Sequence, residues 1–147
     1  NYNPDYNLIN MAVKGGIEGR TTVVHEMGHV IEQWTGYHRE SWKWVLKRSP
    51  GEKLKQLKKL FPERSFDGSE WAFEDKFMNA YIGKKYHDAS EVLSMGLQYL
   101  YKDPVAFMKK DPDMFDFIIG SIKKIKDGYK KPIKKNEKWW FDLYRKK

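Results

Sequence analysis

The sequence contains no cysteine, which excludes a disulfide framework and any metal site built on thiolates. A metal bound by this chain must therefore be held by histidine, carboxylates and water. The absence of cysteine also fits a reducing compartment. No apolar run approaches the ~20 residues that a membrane-spanning helix needs, so we expect no contact with a membrane. Histidine is scarce, with 4 in 147 residues, so two histidines in one short segment carry information.

The composition predicts one globular domain over residues 1–147, with a core in residues 1–126 and a basic, aromatic tail or last helix in residues 127–147. Hydrophobic residues make up 40% and aromatic residues 16% of the chain, enough for a real core at this length. The net charge of +8 is compatible with acidic partners or nucleic acid. Because no nucleic-acid-binding motif accompanies that charge, a solvated lysine-rich surface is the favoured interpretation.

The segment that organises the chain is His25-Glu26-Met27-Gly28-His29, which has the pattern H-E-x-x-H. Residues four apart lie on one face of a helix, so His25 and His29 project side by side and can bind one zinc ion. In metalloproteases with this pattern the glutamate is the general base that takes the proton of the attacking water. The segment therefore predicts a zinc site with Glu26 as its base.

The residues around this segment predict a helix. Thr21 or Thr22 can cap its start, and Gly36 is suited to its end. Gly28 would let another backbone pack close to the metal-binding face. Several apolar side chains are expected to anchor the helix in the core: Val23, Val24, Met27, Val30 and Ile31.

The rest of the chain favours an α+β fold that is mostly helical with a small sheet. Residues 6–13 predict a strand, either an ordinary core strand or a sheet edge to which a peptide substrate could add. Ser49 to Glu52 has the spacing of a capping box, and residues 70–86 predict a short hairpin or an irregular segment. Helices are predicted over residues 40–48, 52–61 and 88–101 (the last capped by Asp88), and again after Asp103-Pro104 and Asp111-Pro112, with the last ending at Gly128.

A catalytic zinc site needs a third protein ligand. The chain offers four candidates: Glu91, Glu32, His38 and His87. We favour Glu91, because its small neighbours would let its helix approach Gly28 and because two histidines with one glutamate form a known catalytic set. For Glu32, a hydrogen bond to an imidazole or a surface position is the preferred interpretation.

Hydrolysis of an amide also needs a donor for the developing oxyanion. Tyr81, Tyr86 and His87 lie shortly before Glu91 and could each reach the site. We take Tyr86 as the candidate. A buried aromatic of the core is the alternative role for this residue.

The metal pentad followed by a helix with Glu91 resembles the gluzincin branch of zincin metallopeptidases. Three further segments of the chain, residues 81–86, 90–96 and 111–115, are similar to zincin-like domains of phage and mobile-element proteins, some of them in phage minor head proteins. The resemblance covers most of residues 2–126. It implies a zincin-like fold with the metal helix under a sheet, His25, His29 and Glu91 as ligands of Zn²⁺, and Glu26 as base.

The chain departs from the thermolysin pattern at two positions beside the third ligand. Ser90 stands where that pattern has asparagine, and Met95 stands where it has aspartate. The residue that orients each histidine is therefore not assigned by the resemblance. Residues 127–147 lie outside it.

These observations predict a zinc-dependent endopeptidase acting on a protein or peptide substrate. A non-catalytic, zinc-stabilised interaction domain and a basic nucleic-acid-binding module are the alternatives. The sequence begins at Asn1 with no signal-peptide pattern. We expect a processed product or a domain of a larger phage or mobile-element protein, located in the cytoplasm or associated with a phage.

Overall fold

The computed structural model describes Tyr2–Asn3, Leu8–Ile9, residues 16–74 and residues 77–128. In this part of the chain, four two-residue strands form two antiparallel pairs, β1 (Tyr2–Asn3) with β2 (Leu8–Ile9) and β3 (Lys55–Gln56) with β4 (Trp71–Ala72). Within the described residues the helices are α1 (Gly16–Thr35), α2 (His38–Arg48), α3 (Leu57–Leu60), α4 (Val92–Lys102), α5 (Pro104–Lys110) and α6 (Pro112–Lys126), with a 3-10 turn at Ala80–Gly83. The chain is mostly helical with small antiparallel sheets, consistent with an α+β fold.

The helix that carries the pentad is longer than the sequence predicts. It begins at Gly16, so the prediction that Thr21 or Thr22 caps its start is wrong. Both threonine hydroxyls instead donate hydrogen bonds of 2.9 Å to the carbonyl oxygen of Glu18 inside the helix. Its predicted end is confirmed: Gly36 has a φ of +69° and its N–H donates to the carbonyl oxygen of Glu32.

The buried face of α1 is unusual because its fully buried residues are polar or lack a side chain. They are Thr21, Glu26, Gly28 and Glu32. Four of the predicted apolar anchors lie beside this face and are half-buried. The fifth, Met27, is 49% exposed, so the prediction that it anchors the helix is wrong. The buried side of α1 therefore contacts the rest of the molecule mainly through polar side chains and the bare backbone at Gly28.

Helices α1 and α4 pack backbone to backbone at Gly28. A Cβ atom placed on Gly28 would lie 2.5 Å from the Cα atom of Ser94 and 2.9 Å from its nitrogen. Only glycine permits this approach, as the sequence predicted. The contact brings the beginning of α4 against the His25–His29 turn of α1.

Replacing Gly28 by alanine should therefore destabilise the protein, at the upper end of the about 1–3 kcal/mol typical of overpacking, because the atoms in the way are backbone. The matched control is Gly120→Ala in α6, where a Cβ meets nothing within 4 Å. That change should stabilise the helix by up to about 1 kcal/mol. Urea unfolding of both variants measures the difference. Equal stability of the two would show that α1 and α4 do not pack at this distance.

The apolar core lies mainly between α2, α4, α5 and α6 and the segment around the 3-10 turn. Helices α5 and α6 begin as predicted, with Pro at the first position and the preceding aspartate accepting from the backbone: Asp103 from Ala106 at 2.9 Å and Asp111 from Met114 at 3.0 Å. The buried apolar residues of the core are Trp42, Trp44, Val45, Phe73, Phe77, Ile82, Val92, Leu93, Met95, Phe107, Met114 and Ile118.

Two further capping predictions are wrong, in addition to the one at the start of α1. Ser49 follows the end of α2, and Pro50-Gly51, with Gly51 at a φ of +78°, makes a turn closed by the Glu52 N–H bonding to the Ser49 carbonyl oxygen. The predicted helix over residues 52–61 therefore shrinks to α3. Asp88 does not cap α4, which begins at Val92 directly after Glu91.

The described residues contain no helix with both the length and the apolar character needed to cross a bilayer. The predicted strand over residues 6–13 is represented by Leu8–Ile9, and its other residues lie outside the described part of the chain. The predicted tail beyond Gly128 also lies outside it.

Candidate metal centre

The two histidines of the pentad face the same point. They lie one turn apart on α1, with ring centroids 4.9 Å apart and ring planes at 81°. Their side chains are 19% and 16% exposed, so the rings are mostly enclosed but reachable from solvent. In each ring the Nε2 atom points toward the same carboxylate oxygen.

That oxygen belongs to Glu91. Its Oε2 atom lies 3.4 Å from Nε2 of His25 and 3.4 Å from Nε2 of His29. Within the described residues, these three side chains form the group whose donor atoms could hold a metal ion, all within 4.8 Å of one another. Tetrahedral zinc with ligands at about 2.0–2.1 Å separates any two of them by about 3.4 Å. The donor set and the two distances from Glu91 to the histidines therefore fit Zn²⁺.

Glu91 reaches this position because the chain turns into α4 there. It precedes the first residue of the helix, with φ −98° and ψ 0°, and its carbonyl oxygen accepts from the Met95 N–H at 3.0 Å. The side chain is 2% exposed. The Gly28–Ser94 contact fixes how closely this first turn of α4 approaches α1.

Two hydroxyl groups orient the Glu91 carboxylate. The Tyr86 hydroxyl donates to Oε1 at 2.6 Å, and the Ser94 hydroxyl donates to Oε2 at 3.1 Å. The sequence predicted Tyr86 near the site but missed Ser94 as a partner of the carboxylate. Its position three residues after Glu91, in the first turn of a helix, was the available signal.

The charges of the three side chains are coupled. Burial raises the pKa of Glu91, but its contacts with His29 and Tyr86 outweigh that effect, so the pKa lies below its usual range. Burial lowers the pKa of His25, while at His29 the effect of burial is more than offset by Glu91, so its pKa is raised. The site thus favours an ionised Glu91 and a neutral His25, the forms that bind zinc, whereas the raised pKa of His29 favours its protonated form until a metal displaces the proton.

Glu26 lies beside this group. It is 7% exposed. Burial lowers the pKa of His25, and the negative charge of Glu26 partly opposes that effect. Glu26 is not one of the three side chains whose donor atoms converge. Its carboxylate is therefore close enough to act on the charge of the imidazoles without being one of the converging donors.

A second polar group extends from Tyr86. The hydroxyl of Tyr81 lies 3.3 Å from that of Tyr86, and Lys84 Nζ lies 3.4 Å from the Tyr81 hydroxyl. Lys84 also lies 4.5 Å from the centre of the Tyr86 ring and pairs with Glu70 at 2.6 Å. Burial, followed by the charge of Glu91, raises the pKa of Tyr86, so its phenol stays protonated and remains a donor.

The other candidate ligands and donors lie elsewhere. His38 starts α2, and His87 is exposed in the loop before α4. Neither belongs to the group formed by His25, His29 and Glu91. Glu32 is 1% exposed, so its prediction as a surface residue is wrong; its carboxylate accepts hydrogen bonds from Ser41 and Ser90.

Comparison of the chain with protein-family models, with curated proteins and with solved structures finds no match. The interpretation of the site therefore depends on its residues and their geometry.

Proposed function

We propose that this chain is a zinc-dependent endopeptidase, with His25, His29 and Glu91 as zinc ligands and Glu26 as general base. The observation that carries the proposal is the convergence of two imidazole Nε2 atoms on one buried carboxylate oxygen, each at 3.4 Å. Among the described residues three donors converge, which would leave one position of a tetrahedral zinc for water, as catalytic sites require and fully coordinated structural sites do not.

In the proposed reaction the protein residues transfer a proton and stabilise the negative charge that develops on the scissile carbonyl oxygen. When bound, zinc supplies Lewis acidity, which favours ionisation of a water molecule and polarises the scissile carbonyl group. The Glu26 carboxylate accepts the proton from water and later delivers it to the leaving amine. Tyr86 is a protonated phenol whose single O–H donates to Oε1 of Glu91. In the reaction that O–H would turn from the carboxylate to the oxyanion that develops on the carbonyl oxygen.

The sequence resemblance supports the same assignment. The proposed fold is zincin-like, of the gluzincin type, and the proposed context is a phage or mobile-element protein. The substrate class is a protein or peptide, since general-base attack of water beside a Lewis acid suits an amide bond. Neither the zinc-stabilised interaction domain nor the nucleic-acid-binding module has a comparable observation in its favour.

Elemental mass spectrometry of the purified, dialysed protein tests the metal assignment. We expect about one zinc per chain, lost in His25→Ala, because two remaining protein ligands hold zinc weakly. The matched control is His87→Ala, which removes an exposed histidine outside the donor group and should keep its zinc. A folded wild-type protein that takes up no zinc, or equal loss in both variants, would overturn the assignment.

A further inference from the structure

The carboxylate of Glu32 is the best-enclosed acidic group of α1 and has no part in the proposed reaction. It lies one turn after His29 on the same helix and is 1% exposed. Burial raises the pKa of Glu32 to about 7, although hydrogen bonds from Ser90 and Ser41 oppose the shift. Keeping an acidic group here costs free energy that an apolar side chain would not. Its contacts therefore indicate a specific role.

These contacts connect three segments. Oε1 of Glu32 accepts from the Ser90 hydroxyl at 2.6 Å and from the Ser41 hydroxyl at 2.8 Å. Oε2 accepts from the backbone N–H of Ser90 at 3.0 Å. Two of the three bonds thus go to the residue immediately before Glu91, and the third goes to α2.

Ser90 also contacts the first residue of α4. Its hydroxyl oxygen accepts from the N–H of Val92 at 3.2 Å, which satisfies a backbone donor at the start of the helix. Glu91 therefore stands between two backbone N–H groups, those of Ser90 and Val92, that are both held by the Glu32–Ser90 pair. Its backbone has little freedom to rotate the carboxylate away from the histidines.

We propose that Glu32 is a positioning residue, which fixes the Ser90–Glu91 segment on α1 so that Glu91 meets His25 and His29. Helix α1 then supplies two ligands directly and places the third through a buried hydrogen-bonded pair one turn further on. Partners that orient a metal ligand in this way typically change metal affinity by about 10–100-fold when removed. This inference depends on the proposed zinc site.

The test compares Glu32→Gln with Ser41→Ala. Glutamine keeps an oxygen for the two hydroxyl groups but turns an amide donor toward the Ser90 N–H, which loses its acceptor. Ser41→Ala removes one bond to the same carboxylate and leaves both bonds to Ser90 intact. We expect a zinc affinity, measured by competition with a chromophoric chelator, about 10–100-fold lower in Glu32→Gln and close to wild type in Ser41→Ala.

A second measurement requires no metal. Hydrogen exchange of the Ser90 amide in the metal-free protein should be faster in Glu32→Gln than in wild type, while the Ala106 amide, held by Asp103, exchanges equally in both. If Glu32→Gln does not fold, Ser90→Ala replaces it in the affinity measurement, since it removes the 2.6 Å bond and the contact with Val92.

The outcomes separate this inference from the proposed function. Zinc binding by wild type with unchanged affinity in folded Glu32→Gln would overturn the positioning role alone. Equal losses of affinity in Glu32→Gln and Ser41→Ala would also overturn it, because they would reflect general loss of packing. Absence of zinc binding by folded wild type would overturn the proposed zinc site and, with it, this role.

Discussion

Replacing Glu26 by glutamine should reduce peptide hydrolysis by about 10²–10⁴-fold, the usual contribution of a positioned general base. The amide has nearly the same shape but cannot accept a proton from water. Because Glu26 lies outside the three converging donors, zinc content should stay at the wild-type level. Turnover is measured on casein and on a mixed peptide library whose products are identified by mass spectrometry.

The matched control for this prediction is Glu18→Gln. Glu18 is an exposed glutamate in the first turn of the same helix, so the variant makes the same chemical change away from the donor group. It should cleave as wild type does. Hydrolysis at the wild-type rate by zinc-loaded Glu26→Gln would contradict the proposed mechanism. Loss of zinc in that variant would assign Glu26 as a metal ligand instead of a base.

The histidine pair and its helix could be predicted from the sequence, because the helical repeat alone places both imidazoles on one face. Two side chains four residues apart on a helix share a face whatever the remainder of the fold does. The close packing of α4 against Gly28 was predictable for a similar reason, since a small residue beside a candidate ligand leaves room for a backbone. The Asp-Pro starts of α5 and α6 are equally local.

The predictions of helix starts were wrong where the same residues suit two different local structures. The Thr21 and Thr22 hydroxyls can cap a helix or bond back to a carbonyl within it, and the upstream residues that decide between these lie outside any short motif. Ser49-Pro50-Gly51-Glu52 suits a capping box and a turn with glycine at positive φ. The turn forms in the structure, and the chain continues into β3 rather than into a helix.

The contact between Glu32 and Ser90 could not be predicted, because it depends on packing across the fold. Glu32 and Ser90 are 58 residues apart in the chain and meet only when α1 packs on the start of α4. Spacing on α1 placed Glu32 on the histidine face but could not say what it touches. Its partners are therefore two serines, one in α2 and one in the loop beside the third ligand, rather than an imidazole.

Replacing Tyr86 by phenylalanine should lower kcat by about 10²–10³-fold, as removal of one oxyanion donor does in other hydrolases. The phenol lies 2.6 Å from Oε1 of Glu91, and its raised pKa keeps it protonated across the working pH range. The ring stays in the variant, so packing changes little. Because the same hydroxyl also orients Glu91, both proteins are compared at saturating zinc. KM should then stay near its wild-type value, and a loss of kcat that zinc does not restore identifies an oxyanion donor.

Two further tyrosine variants make this measurement specific. Tyr101→Phe removes a hydroxyl from a residue that is 48% exposed on α4 and should have no effect. Tyr81→Phe removes the hydroxyl 3.3 Å from that of Tyr86. A larger loss of kcat in Tyr81→Phe than in Tyr86→Phe would assign the donor to Tyr81 and leave Tyr86 as a partner of the ligand. If Tyr86→Phe loses zinc instead of kcat, its hydroxyl acts by orienting Glu91, since that carboxylate is the group it contacts in the structure.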